Sequence, residues 1–427
     1  MIRNYLPSSL VRSAGIYTVS RLINALLPFL LMPVLTRHLS PEEFGTATMF
    51  TVLSGIALPF IGLSLHGAIS VKYFDSKETN LPQYIGNCFI LLATSTSIMM
   101  LIVALLSDYI SKLTSFPSKW LYLVILFSAA QFICLVVMTL WQVEDRPIKY
   151  GVFQNSQTAL NFILSLLFVI VLGMSWQGRV EAQVFSMCLF AMIAFYILLH
   201  SKKIQFKFDK PSIDHALKFG LPLIPHAIGG MLIVQTDRLF LSNMEGLSVV
   251  GIYTIGYQFG FIIDLVASSF NQAFSPWLYS KLSNNDLSTK KQIVKLTYLY
   301  FVLILLLAIL LSAVAPWFLT YFVGSRFVAA GQFIFWIALG YAFNGMYYMV
   351  TNYIFYAGKT SVLAWVTFST ALLNIIFNYI FIKLNGPIGS AQATALAFLT
   401  SFVFTWLLSA KVYSMPWNVF GKSNESQ

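Results

Sequence analysis

SAGIYTVSRLINALLPFLLMPVL, residues 13–35, is an apolar run long enough to cross a bilayer, and it carries a positive charge, Arg21, in its interior. An arginine at that depth costs about 2.5–3.5 kcal/mol on insertion scales, so it needs a partner, a water-filled cavity or an anionic ligand. The combination recurs in the second half, where Asp237 and Arg238 lie in one apolar run and Asp264 lies in the next. These runs predict a multispan membrane protein that keeps charges inside its spans.

The composition extends this prediction to the whole chain. The 427 residues are 58% hydrophobic and 10% charged, with a mean hydropathy of +0.77, which is typical of multispan membrane proteins. Hydropathy predicts an all-α polytopic protein of about twelve transmembrane helices joined by short connections. The predicted spans are 13–35, 44–71, 84–107, 119–141, 150–173, 181–199, 216–242, 248–279, 293–322, 327–356, 360–383 and 388–411.

The basic residues predict how the chain is oriented in the membrane. If both termini are cytoplasmic, 18 of the 26 Lys and Arg lie in cytoplasmic segments, six lie outside, and Arg21 and Arg238 lie in spans. This is the positive-inside bias, so the net charge of +11 is explained by the orientation of the chain in the membrane, with attraction to lipid headgroups as a secondary effect. It does not indicate nucleic-acid binding.

Two stretches predict an internal repeat. RHLSPEEFGTATMF (37–50) and RLFLSNMEGLSVVGIYTIG (238–256) each have a serine, an acidic residue and then a glycine, Gly45 or Gly251, that opens the next span. Six spans precede the polar loop and six follow it, so the repeats would be parallel and related by a pseudo-two-fold axis along the membrane normal. We therefore predict six-helix bundles at 1–199 and 216–427, the second with a short cytoplasmic tail, joined by a cytoplasmic linker at 200–215.

Polar side chains inside the spans are the candidate site residues. Helices with a polar stripe should turn it towards the bundle interior, because lipid cannot hydrate it. The predicted substrate or cavity residues are Arg21, Asn24, Asn155, Asn161, Asn374 and Asn378, and the predicted ion-coupling or gate residues are Asp264, Asp237 and Arg238.

Each assignment has an alternative. Arg21 could instead form a structural ion pair or reach an interface, and the Asp264 carboxyl could be a buried hydrogen-bonding group. Asp237 and Arg238, near one end of their span, fit a local ion pair or gate better than a substrate site. The asparagines could simply join helices by hydrogen bonds.

Soluble enzyme chemistry has no support in the sequence. No HExxH, CxxC or GxSxG motif occurs, and the P-loop-like Gly358-Lys359-Thr360 lacks the first glycine, since position 353 is Tyr353. The three cysteines lie inside predicted spans with neither metal nor disulfide spacing. We expect no catalytic residue, no metal and no cofactor.

Two segments carry a family resemblance. LTRHLSPEEFGTATMF (35–50) and ALKFGLPLIPHAIGGMLIVQTDRLFLSNMEGLSVVGIYTIGYQFG (216–260) resemble the Wzx-type O-antigen flippases, polysaccharide-biosynthesis transporters of the multidrug/oligosaccharidyl-lipid/polysaccharide exporter superfamily. The resemblance extends over essentially the whole chain, and Arg21 and the Asp237–Arg238 pair match family-like positions.

The resemblance implies a flippase of the bacterial inner membrane. It would move an undecaprenyl-pyrophosphate-linked oligosaccharide from the cytoplasmic to the periplasmic leaflet, through a cationic interior, with the polysaccharide polymerase and chain-length machinery as further expected partners. A cation-coupled multidrug exporter of the same superfamily is the alternative. A membrane glycan polymerase is less favoured, because it would be expected to carry a large periplasmic loop.

Overall fold

The computed structural model describes residues 8–75, 80–283, 286–359 and 361–418, with the side chains of 8–14, 21, 226, 230, 361, 362 and 364 left undescribed. Within those ranges the chain is helical and no strand occurs. Contacts divide it into two compact units, Met1–Met231 with Gly246–Gly251, and Leu232–Glu245 with Ile252–Gln427.

The helices follow the chain in a simple order. The first eight are α1 Ser8–His38, α2 Pro41–Gly62, α3 Leu65–Phe74, α4 Leu81–Thr114, α5 Leu121–Val143, α6 Pro147–Leu166, α7 Trp176–His200 and α8 Lys210–Gly220. The remainder are α9 Ile224–Met244, α10 Leu247–Gly260, α11 Ile262–Leu282, α12 Leu287–Phe322, α13 Gly331–Tyr356, α14 Ser361–Asn385 and α15 Ile388–Val412.

The predicted number of spans is confirmed. Among the described residues, eleven helical segments are long and apolar enough to cross a membrane, and the bent pair Lys210–Gly229 and Met231–Met244 makes twelve if it counts as one span. The all-α polytopic fold class is therefore correct, while the division at 200–215 and the symmetry axis stay predictions.

The helix ends differ from the hydropathy boundaries. The run predicted as one span at 44–71 breaks after Gly62, where Leu63 and Ser64 both adopt left-handed φ angles of 47° and 52°. Helix α12 begins six residues before its predicted start, because Asp286 caps it by accepting hydrogen bonds from the backbone N–H groups of Ser288 and Thr289. Hydropathy detects only the apolar middle of such a helix, whereas capping groups determine its end.

The LSPEEFG motif is a helix start. Ser40 Oγ accepts the Glu43 N–H at 3.2 Å, and Glu43 Oε2 accepts the Ser40 N–H at 2.7 Å, which is a capping box with Pro41 in the first turn. Four residues after Pro41, Gly45 approaches the Leu247 backbone so closely that an added Cβ would lie 1.9 Å from its carbonyl oxygen.

The two glycines matched in the sequence repeat make reciprocal close contacts. A Cβ on Gly251 would lie 2.0 Å from the Pro41 carbonyl oxygen, just as one on Gly45 would meet Leu247. All four residues belong to the first unit. Each glycine is thus required by a close backbone approach of α2 and the first turns of α10, since any larger residue would force the helices apart.

The predicted linker is held against α4. Gln205 N–H donates to the Pro82 carbonyl at 2.9 Å, and the Asn87 side chain both donates to the Lys207 carbonyl at 2.9 Å and accepts from the Asp209 N–H at 3.0 Å. Residues 201–209 are therefore an ordered connection fixed to α4 by hydrogen bonds.

Candidate functional site: three intramembrane polar clusters

The first polar cluster begins between α1 and α6. Asn24 Nδ2 donates to Asn155 Oδ1 at 2.5 Å and to the Ser20 carbonyl at 3.0 Å, and Asn24 Oδ1 accepts a short hydrogen bond from the Thr158 hydroxyl. Asn24 and Asn155, two predicted cavity residues, are thus brought together by these bonds. Arg21 lies three residues earlier on α1, but its side chain is outside the described part of the chain.

The cluster continues between α6 and α7. Arg179 Nη1 donates to Asn161 Oδ1 at 2.7 Å and to Ser165 Oγ at 2.6 Å, and Ser165 Oγ donates in turn to the Asn161 carbonyl at 2.6 Å. Gln154, Thr158, Asn161 and Ser165 recur every three or four residues, so they share one face of α6. The first-unit cluster comprises Asn24, Asn155, Thr158, Asn161, Ser165 and Arg179.

Arg179 was not among the predicted site residues. The predicted spans 150–173 and 181–199 left it in the connection between them, but α7 begins at Trp176 and places Arg179 in its first turn. The preceding Ser175 caps this turn and donates a short hydrogen bond to Glu43 Oε1. Recognising Ser175 as an N-cap would have found Arg179 from the sequence.

The partners of Arg179 are all neutral. Among the described residues no carboxylate forms a salt bridge with it, although Arg179 is partly buried. Its hydrogen bonds use Nη1 alone, so Nε and Nη2 have no acceptor within the described ranges. An arginine has five N–H donors, so the three on Nε and Nη2 remain available to a ligand or to water.

The second cluster, the ion-pair cluster, is in the second unit. Arg238 Nη1 lies 2.9 Å from Asp237 Oδ1, and the two residues are 5% and 2% exposed. Tyr253 OH donates to Asp237 Oδ2 at 2.5 Å, while the Arg238 guanidinium lies 3.9 Å from the centroid of the Tyr257 ring. Tyr341 OH donates a short hydrogen bond to Tyr257 OH.

The ion-pair cluster satisfies its own charges. The carboxylate of Asp237 accepts from a cation and a phenol, and the guanidinium also donates to the Val234 carbonyl at 2.7 Å. Cation–π contact adds to the attraction where water is excluded. The local ion pair expected from the sequence is present in the structure, and its role as a gate stays a prediction.

The third cluster, the acid cluster, surrounds Asp264. Its Oδ1 accepts from Asn344 Nδ2 at 2.9 Å and from Tyr348 OH at 3.1 Å, and Asn344 also donates to Tyr348 OH at 2.9 Å. No lysine or arginine in the described ranges pairs with this carboxyl. Such a carboxyl is held only by neutral donors, so no protein cation in the described part of the chain neutralises it.

The polar contact between α11 and α13 continues beyond Asp264. Two turns along, Asn352 Nδ2 donates to Asn271 Oδ1 at 2.8 Å, and Ser275 Oγ donates to Asn352 Oδ1 at 2.9 Å. A line of hydrogen-bonding groups therefore follows one face of each helix. Asn271 and Asn352 were not among the predicted site residues.

Asn374 and Asn378 form a separate buried pair. Asn378 Nδ2 donates to the Asn374 carbonyl at 2.9 Å, and Asn378 Oδ1 accepts from Ser390 Oγ at 2.7 Å, which links α14 to α15. Both side chains are at most 1% exposed. They share a face of α14 as the spacing predicted, whereas their role in lining a cavity stays a prediction.

No group of three or more His, Cys, Asp or Glu that could hold a metal ion occurs in the described part of the chain. Cys88 and Cys134 are buried free thiols, and Cys188 is partly buried. Among the described residues of the three clusters, the groups available for binding are therefore hydrogen-bonding side chains, the cation of Arg179, the carboxyl of Asp264 and the ion pair of Asp237 with Arg238.

Two family models and two relatives match this chain. A family model described as polysaccharide biosynthesis protein matches residues 10–282, and the MatE family model matches residues 222–380. A relative from Haemophilus influenzae, "Lsg locus putative protein 1", is 27% identical over 409 residues, which cover 92% of this chain and 98% of the relative. An "Uncharacterized membrane protein" of the same organism is 26% identical over 382 residues, which cover 86% of this chain and 91% of the relative.

Solved structures share the fold. The lipid II flippase MurJ in an inward closed conformation matches with a TM-score of 0.71 at 16% identity, covering 92% of this chain and 87% of its own. An inward-facing multidrug resistance MATE family transporter of the MOP superfamily matches with a TM-score of 0.67 at 13% identity, covering 92% and 94%. At these identities the match concerns the fold alone.

Proposed function

The chain belongs to the polysaccharide biosynthesis protein family, a family of multispan membrane transporters rather than enzymes, and from this premise we propose that it is a flippase for a lipid-linked oligosaccharide. The proposed substrate is carried by undecaprenyl pyrophosphate, and the glycan is an O-antigen or related surface-polysaccharide repeat unit. It would pass from the cytoplasmic to the periplasmic leaflet of the bacterial inner membrane by alternating access of two helix bundles.

The first-unit cluster is the observation that carries this proposal. A sugar head needs donors and acceptors in place of water, and the amides of Asn24, Asn155 and Asn161 offer both. An anionic group of the substrate needs a cation that is not already neutralised, and Arg179 has only neutral partners. Such groups are expensive inside a membrane and are expected at substrate pathways.

The test is genetic. Deleting the gene in its native bacterium should abolish the surface polysaccharide and cause the lipid-linked oligosaccharide to accumulate on the cytoplasmic leaflet, and the wild-type gene should restore both. Normal polysaccharide in the deletion strain, with no accumulated intermediate, would contradict the proposal.

A cation-coupled small-molecule exporter is the second candidate, favoured by the unpaired Asp264 and by the MatE match over residues 222–380. Deletion would then raise sensitivity to drugs while leaving the polysaccharide intact. The two candidates therefore give opposite results in the same strain.

The proposed topology places both termini in the cytoplasm. The support is the basic residues, 18 of which then lie on that side. Reporter fusions after Lys207 and at Gln427 should both report a cytoplasmic location, and a periplasmic signal from either would contradict the twelve-span orientation. The polysaccharide polymerase and chain-length machinery are proposed partners on the periplasmic side.

A further inference from the structure

We infer that Arg179 and Gln183 of α7, with Asn161 and Ser165 of α6, form a subsite for an anionic sugar group, a sugar phosphate or a sugar carboxylate, in the transported glycan. That the anionic sugar belongs to a transported glycan rests on the proposed function; the anion-binding site itself rests on the side chains described above.

The guanidinium provides the anion-binding part of the subsite. Arg179 Nη1 is held by Asn161 Oδ1 at 2.7 Å and Ser165 Oγ at 2.6 Å, which fixes the plane of the side chain. Its Nε and Nη2 hydrogens have no acceptor in the described part of the chain. A planar pair of N–H donors of this kind matches two oxygens of a phosphate or carboxylate.

The second part is an unmatched acceptor. Gln183 lies one helical turn, about 6 Å, beyond Arg179 on the same face of α7, and its Oε1 is buried without a donor among the described residues. Buried carbonyl oxygens are normally hydrogen-bonded, so this one indicates a missing donor.

Together the two parts indicate a ligand that has anionic oxygens for Arg179 and a hydroxyl donor for Gln183. An inorganic anion would satisfy Arg179 but would bring no donor to Gln183 Oε1. A neutral sugar would bring hydroxyl donors but would leave the arginine charge uncompensated. A sugar that bears a phosphate or carboxylate supplies anionic oxygens and hydroxyl groups within one residue, which matches the set.

The experiment measures binding to the full-length protein in nanodiscs of phosphatidylethanolamine, a zwitterionic lipid that does not compete as an anion. Calorimetric titrations use glucose 1-phosphate, glucuronate, glucose and inorganic pyrophosphate. We expect the wild type to bind at least one of the two anionic sugars roughly tenfold more tightly than glucose or pyrophosphate. Tighter binding of glucose 1-phosphate assigns the site to a sugar phosphate, and tighter binding of glucuronate assigns it to an acidic sugar.

Three variants test the residues. Arg179→Gln should abolish the preference for anionic sugars over glucose. Asn161→Asp keeps Arg179 in place and puts a carboxylate beside Nη1, so it should remove the same preference even if Arg179→Gln fails to fold. Gln183→Leu should weaken the binding of anionic sugars while leaving that of pyrophosphate unchanged. Arg326→Gln, which removes an exposed arginine outside the cluster, is the matched control and should behave as the wild type.

An unchanged preference in Asn161→Asp, or equal binding of glucose and both anionic sugars by the wild type, would overturn the inference. So would pyrophosphate binding as tight as that of both anionic sugars. These outcomes are independent of the deletion experiment, because a flippase for a neutral glycan would fail here and pass there. An anion-selective transporter of another substrate would show the reverse.

Discussion

Two arginines in the described part of the chain, Arg238 and Arg179, have opposite surroundings. Arg238 is neutralised by Asp237 at 2.9 Å and lies over Tyr257, so its donors and its charge are used within the fold. Arg179 touches only an amide and a hydroxyl, and most of its donors have no protein acceptor in the described ranges. A buried ion pair of this kind is a structural feature. A cation without a protein counter-charge can bind an anionic group of a transported substrate.

The largest effect should come from opening the closed pair. Asp237→Leu leaves Arg238 buried without its carboxylate and Tyr253 without its acceptor, which should cost about 3–5 kcal/mol of stability. Thermal unfolding of the purified protein and its level in the membrane measure the loss. The double variant Asp237→Leu, Arg238→Met should recover most of it, because both charges are then absent. A single variant as stable as the wild type would show that the pair is not closed.

Removing Arg179, whose charge has no protein partner in the described part of the chain, should lower export without lowering stability. Arg179→Gln is expected to leave the melting temperature unchanged or raised, because no protein charge loses its partner, while export falls roughly tenfold. Lipid-linked oligosaccharide and surface polysaccharide are measured in the same cells. Arg326→Gln serves as the control for lost charge. Strong destabilisation by Arg179→Gln would place Arg179 with Arg238 as a structural residue.

Arg21 is a third intramembrane arginine and extends the comparison to α1. Arg21→Ala should reduce export with the protein still inserted, and Arg21→Lys should restore part of it, since the charge returns without the planar fork. Export assays with quantified membrane protein distinguish the cases. Loss of the protein from the membrane would instead indicate an ion pair, and normal export would remove Arg21 from the site.

Asp264, like Arg179, has only neutral partners in the described part of the chain, but its side chain is an acid. Asp264→Asn keeps an oxygen that can accept from Asn344 and Tyr348, so we expect a stability change below about 1 kcal/mol. If the carboxyl carries a coupling proton or cation, gradient-dependent transport in vesicles should be lost while substrate binding remains. Unchanged gradient dependence would assign Asp264 to helix packing.

The smallest effect is expected from removing a neutral hydrogen bond of the first-unit cluster, which shows how much export depends on the cluster's stability alone. Thr158→Val removes the hydrogen bond to Asn24 without touching a charge, and should cost about 1 kcal/mol of stability with export near normal. Thermal unfolding and export are measured together. A loss of export as large as that of Arg179→Gln would mean that general weakening of the cluster, and not its charge, stops transport.

Much of the fold could be predicted from sequence because the membrane imposes it. Lipid forces every span to satisfy its backbone internally, so hydropathy finds about twelve helices without any knowledge of packing. The Ser40–Glu43 capping box and the reciprocal Gly45 and Gly251 contacts also leave readable signals, as an S-x-x-E motif and as a repeated glycine. Breaks inside apolar runs leave none, and the left-handed Leu63 and Ser64 look like ordinary span residues.

The candidate site was only partly predictable. Spacing along one helix identified the Asn374–Asn378 pair, and adjacency identified Asp237 and Arg238. Contacts between helices distant in sequence, such as Asn24 with Asn155, depend on how the helices rotate, which spacing does not determine. Arg179 was missed because one polar turn at a helix start resembles a loop.

The most direct test of the central claim is translocation by the purified protein. Proteoliposomes would contain the wild type or Arg179→Gln together with a lipid-linked oligosaccharide from the native bacterium, and an impermeant glycosidase added outside would report how much glycan reaches the outer leaflet. We predict that the wild type exposes inner-leaflet substrate well above protein-free liposomes and that Arg179→Gln does so roughly tenfold more slowly. Wild-type liposomes that expose no more substrate than protein-free ones would contradict the account.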